Sequence, residues 1–142
     1  MRVLFGLLVG LNLLFGSSVE LKLLSAVNSW SDAINSKDYS AMRVLYANSV
    51  IYYGKIMPRY KCIADKKRAL RKRPNFHQEI DDLRYKYIMR DIYRVSFDKY
   101  VRYTRGGKIK LYPSYLYIDI SSTIPKIVAE SDKITDLNLL FK

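Results

Sequence analysis

The spacing of the hydrophobic residues changes about halfway along the chain. In the first half, Leu23, Val27, Trp30 and Ile34 recur at steps of four, three and four, which places them on one face of an α-helix. In the second half, apolar and polar side chains alternate, which is the period of a half-buried β-strand. The pattern therefore predicts helices first and strands afterwards.

Two further helices and a strand are predicted before the alternation begins. Asp38 is a natural N-cap for a short helix that ends near Asn48. Residues 49–54 favour a strand, because Val, Ile and Tyr fit a half-buried pleat. Pro58 is well placed in the first turn of a third helix, which is expected to end near Arg73.

The alternating half predicts a run of antiparallel strands with tight turns near residues 89–91 and 105–108. Pro113 is expected at a sheet edge or a bulge, because it has no N–H group to donate to a neighbouring strand. Helices followed by such strands predict an α+β domain, in which a curved antiparallel sheet packs around the N-terminal helices.

The first residues have the order of a secretory signal peptide. One Arg precedes an apolar run over residues 3–15, and Gly16, Ser17 and Ser18 supply small residues for cleavage after Ser18. We therefore predict a signal peptide over residues 1–18 and a single domain over residues 19–142, secreted into a bacterial periplasm without a transmembrane segment. An uncleaved N-terminal anchor and a buried first helix are the alternatives.

A strong positive charge limits the classes of partner. The sequence holds 25 Lys and Arg against 13 Asp and Glu, a formal charge of +12, and such a field favours a polyanion. Six of the basic residues lie in KKRALRKRP, residues 66–74. An exported protein meets phosphate chiefly as lipid headgroups or lipopolysaccharide. We therefore expect an anionic envelope component or a protein partner, and no nucleic acid.

On a helix this basic run divides into two groups. Lys66 falls at the centre of the apolar stripe, with Arg59 and Arg73 on the same line at either end. For Lys66 two roles stay open: its stem packs while its ammonium reaches water, or its ammonium binds an anion. The outward group is expected to form a solvated basic surface and consists of Lys67, Arg68, Arg71 and Lys72.

Two residue counts exclude several kinds of site. Cys62 is the only cysteine, so no intrachain disulfide can form. His77 is the only histidine, which excludes zinc sites built on pairs of histidines. We predict no metal and no cofactor.

Three segments resemble the nuclear transport factor 2-like superfamily, which includes the SnoaL-like and ketosteroid isomerase families. They are WSDAINSKDY at residues 30–39, LYANSVIYYG at residues 45–54 and KIVAESD at residues 126–132. Their order is similar to that of the superfamily over nearly all of residues 20–134. The resemblance implies a cone-shaped sheet with a pocket at its wide end, and frequently a homodimer packed through the outer sheet face.

This resemblance does not select a function, because one fold carries many activities. Relatives include isomerases, dehydratases, cyclases and non-catalytic binding domains, and secreted bacterial relatives occur as periplasmic modules of cell-wall enzymes and secretion machines. We predict a non-catalytic cell-envelope module that binds an anionic ligand or partner through a pocket and a basic helix face. A small-molecule isomerase or dehydratase is the alternative.

Three residues are candidates for proton transfer, and each has a structural alternative. Asp38 matches a helix cap. His77 and Glu79 lie two positions apart on one face of a strand, where a surface pair is the alternative to a catalytic one.

The candidates for ligand binding combine cations, phenols and one carboxylate. Tyr115 and Tyr117 share a strand face and form either an aromatic platform or part of the core. Glu130, on the last strand, is either at the ligand site or paired with a nearby Lys or Arg. The full set is Lys66, Arg59, Arg73, Tyr53, Tyr115, Tyr117 and Glu130.

Overall fold

The computed structural model of the chain describes residues 17–132, which form three helices and six strands. The helices are α1 (Ser18–Ser36), α2 (Tyr39–Leu45) and α3 (Arg59–Lys72). The strands are β1 (Tyr46–Tyr52), β2 (Lys55–Pro58), β3 (His77–Met89), β4 (Ile92–Arg102), β5 (Ile109–Asp119) and β6 (Lys126–Ser131). The predicted α+β class is confirmed.

Helix α1 forms because most of its apolar residues fall on the face that meets the sheet. That face is buried along its whole length, and Trp30 and Val27 are among the most deeply buried side chains. At the start, the Ser17 hydroxyl accepts a hydrogen bond from the Glu20 N–H at 3.3 Å, which satisfies one free amide of the first turn. At the end, Lys37 adopts a left-handed conformation with φ 56°.

The predicted signal peptide lies outside the described residues, apart from its last two positions. Ser17 is the N-cap of α1 and Ser18 is the first helical residue. Cleavage after Ser18 would therefore remove the capping hydroxyl of this helix.

The sheet has the strand order β2-β1-β6-β5-β4-β3, and it is mixed rather than wholly antiparallel. All neighbours pair antiparallel except β1 and β6, which run parallel. The predicted antiparallel arrangement is confirmed for the other four strand pairs, and the parallel pair of β1 and β6 is the exception.

Strand β2 and the exact ends of its neighbours were not predicted. Helix α2 ends at Leu45 rather than near Asn48, and β1 begins directly afterwards. Tyr53 and Gly54, with φ values of 49° and 84°, make the two-residue turn that joins β1 to β2, as in a type I′ hairpin. Pro58 ends β2 and occupies the N-cap position of α3 rather than its first turn, without a side-chain capping hydrogen bond.

Strand β3 is bent where its register with β4 shifts between Asp81 and Arg84. Asp82 has a φ of 56° there, as is typical of a bulge. Before the bend, β3 buries Gln78 and Ile80 against the helices. After it, the alternating Tyr85, Tyr87 and Met89 are exposed.

At Pro113, β5 pairs with a described strand on one side only. Pro113 pairs with Asp98 of β4, whereas the partners of β5 on β6 begin at Tyr115. Within residues 17–132, no strand pairs with the other side of Pro113, so its missing N–H group breaks no ladder.

The main core lies between α1 and the inner face of the sheet, where Trp30 packs on Phe97 with ring centroids 5.7 Å apart. A smaller cluster of Tyr115, Tyr117 and Ala129 is buried on the opposite face, since strand neighbours alternate in direction. No helix within residues 17–132 is both long enough and apolar enough to cross a membrane.

Candidate functional site

A cavity of about 370 Å³ opens between α1, α3 and the inner face of the sheet. Its apolar lining is Ile34, Ala69, Leu70, Phe76 and Val101. Four phenols and one amide also face it, namely Tyr52, Tyr53, Tyr103, Tyr112 and Gln78. The charged groups in its wall are Asp65, Lys66, Arg73, Lys99 and Asp132.

Lys66 points inward from α3 and forms a buried ion pair with Glu130 of β6. Its side chain is 12% exposed and that of Glu130 is 3% exposed. Lys66 donates to Oε2 of Glu130, and the Tyr46 hydroxyl donates to Oε1. Both carboxylate oxygens are therefore occupied, as a buried charge requires.

The hydrogen-bond network of Lys66, Glu130 and Tyr46 extends to Trp30 of α1, and aromatic rings surround the Lys66 ammonium. Trp30 Nε1 donates to the Tyr46 hydroxyl at 3.0 Å. The Lys66 ammonium also lies over the rings of Trp30, Tyr52 and Tyr53, at 5.8, 5.5 and 5.7 Å from their centroids. These are cation–π distances, so the charge of Lys66 is compensated on several sides.

Phenols around Glu130 are held in the protonated form. Burial, and then the negative charge of Glu130, raise the pKa of Tyr46 well above its usual value. The same two causes, in the same order, raise the pKa of Tyr52 and of Tyr53. These hydroxyls are therefore hydrogen-bond donors throughout the physiological pH range.

Asp65 stays ionised although it lies in the cavity wall. It accepts from the Tyr52 hydroxyl at 2.7 Å and from Arg68 Nη2 at 2.7 Å. Burial alone would raise the pKa of Asp65, but these two hydrogen bonds outweigh it, and the net pKa lies below the usual value.

Lys99 is a second buried lysine and has a weaker partner. It projects inward from β4 with a side chain that is 10% exposed, and its Nζ lies 3.7 Å from Oδ2 of Asp132. Burial, and then the nearby charge of Lys66, lower the pKa of Lys99, while Glu130 and Asp132 oppose the shift only in part. Its Nζ lies 5.9 Å from the ring centroid of Tyr112.

Arg73 lies at the rim, next to a pair of tyrosines. Its guanidinium carbon lies 5.0 Å from the ring centroid of Tyr103, and the Tyr103 hydroxyl donates to that of Tyr112 at 3.1 Å. Burial, and then this hydrogen bond, raise the pKa of Tyr103 to about 12. Arg73, Tyr103, Tyr112 and Lys99 thus form a continuous row along one wall.

Four of the predicted ligand-binding residues come together at this cavity. Lys66, Arg73 and Tyr53 line it, and Glu130 lies directly behind Lys66. Arg59 does not reach it: the side chain donates to the Arg43 carbonyl at 3.3 Å and lines a separate depression at the start of α3.

The other candidates lie away from the cavity. His77 and Glu79 are 2.8 Å apart on the outer sheet face, beside Tyr100, because the residue between them points inward. Asp38 caps α2 by accepting from the Ala41 N–H at 3.0 Å.

Tyr115 and Tyr117 belong to the buried outer cluster. Their ring centroids are 5.7 Å apart in an edge-to-face arrangement. Such a pair is a packing contact rather than a flat platform for a ligand.

The outward basic residues of α3 form a shallow groove, which we call the basic face. It is lined by Lys67, Arg68, Arg71 and Lys72, with Ala64 between them. Arg68 is bound to Asp65, and the Lys67 ammonium lies 5.5 Å from the ring centroid of Tyr39. The side chains of Arg71 and Lys72 face solvent.

Lys99, Asp132, Tyr103 and Tyr112 were not among the predicted site residues. A signal for Lys99 exists in the sequence, since it interrupts the inward-facing series Val95, Phe97 and Val101 with a charge. Asp132 lies after the last strand, where no periodicity fixes its direction. Among the described residues, no three His, Cys, Asp or Glu side chains are grouped as a metal site.

The chemistry of the cavity follows from this lining. Two ammonium groups and a guanidinium attract an anion, and phenols and aliphatic groups accommodate an apolar body. The phenols supply donors, and the carboxylates supply acceptors.

No family model matches the sequence, and no curated protein matches it. Solved structures do match. A protein with a cystatin-like fold from Caulobacter vibrioides gives a TM-score of 0.69 at 10% identity, covering 80% of this chain and 87% of that chain. Bd1075 from Bdellovibrio bacteriovorus gives 0.64 at 16% identity and covers 77% of this chain, but this chain spans only 38% of Bd1075.

A nuclear transport factor 2-like protein from Cytophaga hutchinsonii gives a TM-score of 0.62 at 14% identity, covering 81% of this chain and 96% of that chain. Identities this low show the fold and not the activity. The curved sheet, its helices and these neighbours agree that residues 17–132 have the nuclear transport factor 2-like fold.

Proposed function

We propose that this protein is a non-catalytic binding module of the bacterial cell envelope, whose cavity takes a small organic anion. The observation that carries the proposal is the unequal pairing of the three cations at the cavity wall. Lys66 is neutralised by Glu130, whereas Lys99 has Asp132 at 3.7 Å. No ion pair joins Arg73 to another residue of the described range.

The remaining lining indicates the body of the ligand. A volume of about 370 Å³ with several aromatic and aliphatic walls suits a small aromatic molecule. We therefore propose an aromatic or similarly apolar carboxylate, whose charged end lies between Arg73 and Lys99.

Calorimetric titration with 2-naphthoate tests this proposal, and 2-naphthamide is the matched neutral ligand. We expect the carboxylate to bind more tightly than the amide, since only the carboxylate meets the cations with a charge. Equal affinities, or no binding of either compound, would count against an anion site.

Two substitutions locate the site. Arg73→Gln and Lys99→Gln should each weaken binding of 2-naphthoate by about tenfold or more, as expected for loss of a charged hydrogen bond. Lys72→Gln is the matched control, because Lys72 is the neighbour of Arg73 and lies on the basic face. Equal losses in the control would assign the effect to the overall field of the protein.

The basic face is proposed as a second contact, directed at anionic lipid of the envelope. Its support is the solvated cluster of Lys67, Arg71 and Lys72, since exposed lysine and arginine near a lipid surface each contribute about 1 kcal/mol. Co-sedimentation with vesicles of phosphatidylglycerol and phosphatidylethanolamine should decrease in the variant in which Lys67, Arg68, Arg71 and Lys72 are all Gln. An unchanged salt dependence would argue against this contact.

Secretion to a bacterial periplasm is part of the proposal, with residues 1–18 as the signal peptide. Expression of the full sequence in a bacterium, followed by fractionation and intact-mass measurement, tests both points. A periplasmic protein that begins at Val19 is expected. A full-length mass in the cytoplasm would contradict it.

A homodimer through the outer sheet face is also proposed. Sedimentation equilibrium should give twice the mass of one chain at micromolar concentration. A monomer mass at all concentrations would exclude the dimer.

The second candidate function is an isomerase or dehydratase, and two observations favour it. Glu130 accepts from the Tyr46 hydroxyl, and Asp132 faces the cavity. Glu130 is a poor base because both of its oxygens are occupied, so Asp132 is the candidate base. Exchange of the α-protons of 2-tetralone in D₂O, followed by NMR, should be lost in Asp132→Asn and kept in Lys99→Met if this function is correct.

A further inference from the structure

We propose that Lys99 captures carbonyl-bearing ligands in the cavity as a reversible imine, so that the module takes an aromatic aldehyde or ketone that also carries a carboxylate. This inference rests on the proposed function in one respect, since the ligand enters the same cavity. Beyond the proposed function, the ligand also forms a covalent bond to Lys99, which requires an aldehyde or ketone group.

The geometry singles out one amine of the two. The Lys66 ammonium is bound directly to Glu130 and lies over three aromatic rings, so attack by its nitrogen would require breaking a close ion pair. Lys99 Nζ lies in the cavity wall, and its nearest carboxylate oxygen is 3.7 Å away. A carbonyl carbon can therefore reach the nitrogen of Lys99 without breaking a close ion pair.

The surroundings of Lys99 favour the neutral, nucleophilic amine. Burial and the neighbouring charge of Lys66 lower its pKa, and these are the two means by which proteins activate a lysine for imine formation. The surface lysines of the basic face have neither burial nor a second buried cation beside them.

Imine formation requires only an amine and a proton-transfer group, and Lys99 and Asp132 of the cavity lining supply them. The amine nitrogen attacks the carbonyl carbon, the C–N bond forms, and one amine proton moves to the former carbonyl oxygen to give a carbinolamine. The hydroxyl then leaves as water while the nitrogen loses its second proton, which leaves a C=N bond. Asp132, 3.7 Å from Nζ, accepts the proton from nitrogen and returns it to the leaving hydroxyl.

The row that continues from Lys99 fits the second end of such a ligand. Tyr112 lies beside Lys99, Tyr103 is hydrogen-bonded to Tyr112, and Arg73 lies over Tyr103. A carboxylate on the far side of an aromatic ring meets the Arg73 guanidinium, which binds carboxylates in a planar, two-pronged geometry.

Reductive trapping tests the inference on the full chain. The protein is incubated with 6-formyl-2-naphthoate, reduced with borohydride and mapped by peptide mass spectrometry. We expect one dominant adduct, on Lys99, in which a secondary amine replaces the imine. Lys99→Arg should lose this adduct, and Lys72→Arg should keep it.

The role of Asp132 has its own measurement. At saturating probe, Asp132→Asn should slow imine formation by about tenfold or more, as is typical for loss of an acid–base group, whereas loss of this negative charge beside Lys99 should not weaken the binding of 2-naphthoate. A slower rate that appears only through weaker binding would overturn the proton-transfer role.

The possible results separate this inference from the proposed function. If 2-naphthoate binds but the adducts are scattered over surface lysines with Lys99 unmodified, the imine is excluded and the anion site stands. If Lys99 is trapped although 2-naphthoate does not bind, the imine stands and the non-covalent anion site fails. If neither occurs, both are overturned.

Discussion

Lys66 and Lys99 line the same cavity, but their charges are compensated to different extents. Lys66 has a carboxylate in direct contact, whose second oxygen is bound by Tyr46, and three rings over its ammonium. Lys99 has one carboxylate at 3.7 Å and is about as deeply buried. A buried cation with a complete set of partners maintains the fold, whereas one with an incomplete set remains available to a ligand.

The difference reflects the elements that carry the two lysines. Lys66 projects from α3 toward β6, at the place where the sheet brings in Glu130 and Tyr46 together. Lys99 projects from β4, and its partner Asp132 follows the end of β6 and is 24% exposed. A partly hydrated carboxylate gives weaker compensation than a buried one.

Breaking the Lys66 pair should have the largest effect on stability. Lys66→Met leaves the carboxylate of Glu130 buried with one donor fewer, and the free energy of unfolding should fall by about 3–5 kcal/mol. Urea denaturation followed by tryptophan fluorescence measures this change, since Trp30 lies in the network. Lys67→Met, on the basic face, should stay within about 0.5 kcal/mol of the parent.

The double variant Lys66→Met, Glu130→Gln sharpens this result. With both charges gone, most of the loss should be recovered, because the cost arises from an unpaired buried charge. Losses that simply add in the double variant would show that the two side chains are not coupled.

The hydroxyl of Tyr46 should have an intermediate effect. In Tyr46→Phe, Trp30 Nε1 loses its acceptor and Glu130 loses a donor, so the free energy of unfolding should fall by about 1–3 kcal/mol. The matched control is Tyr60→Phe at an exposed position. Equal unfolding midpoints for the two variants would mean that the hydroxyl of Tyr46 does not support the ion pair.

The sequence predicted those parts of the fold and site that depend on local periodicity. The buried face of α1 follows from its apolar spacing, and the inward direction of Lys66 follows from the helical phase of the basic run. The hairpin turn near Arg90 and the closing strand β6 follow from local composition as well. In each of these cases neighbours along the chain determine the geometry.

The parts that were missed depend on contacts between distant segments. Glu130 is 64 positions from Lys66, and it meets Lys66 because β6 enters the sheet beside β1, in parallel, which no local pattern indicates. Similarly, the bulge at Asp82 exposes Tyr85 and Tyr87, although their alternation is that of a buried face. Lys99 could have been found, because a charge in an otherwise apolar inward series requires either a partner or a function.

Replacing Lys99 should have the smallest effect, and in the opposite direction. Burial disfavours its charged form, and Asp132 compensates only in part. Lys99→Met should therefore raise the free energy of unfolding at pH 7 by about 1 kcal/mol, since apolar replacements of poorly compensated buried charges are often stabilising. Urea denaturation of both proteins measures the difference.

The difference in the free energy of unfolding between the parent protein and Lys99→Met should depend on pH. The pKa of Lys99 is lowered in the folded protein from a usual value of 10.5, so the unfolded chain binds more protons between the folded pKa and 10.5. The stability of the parent protein therefore rises relative to Lys99→Met as the pH increases through this interval. The advantage of the variant should shrink from pH 7 towards pH 10.5, because the parent loses the buried charge that the variant lacks. An advantage that stays constant over this range would mean that Lys99 is as well compensated as Lys66, and the contrast between the two lysines would be lost.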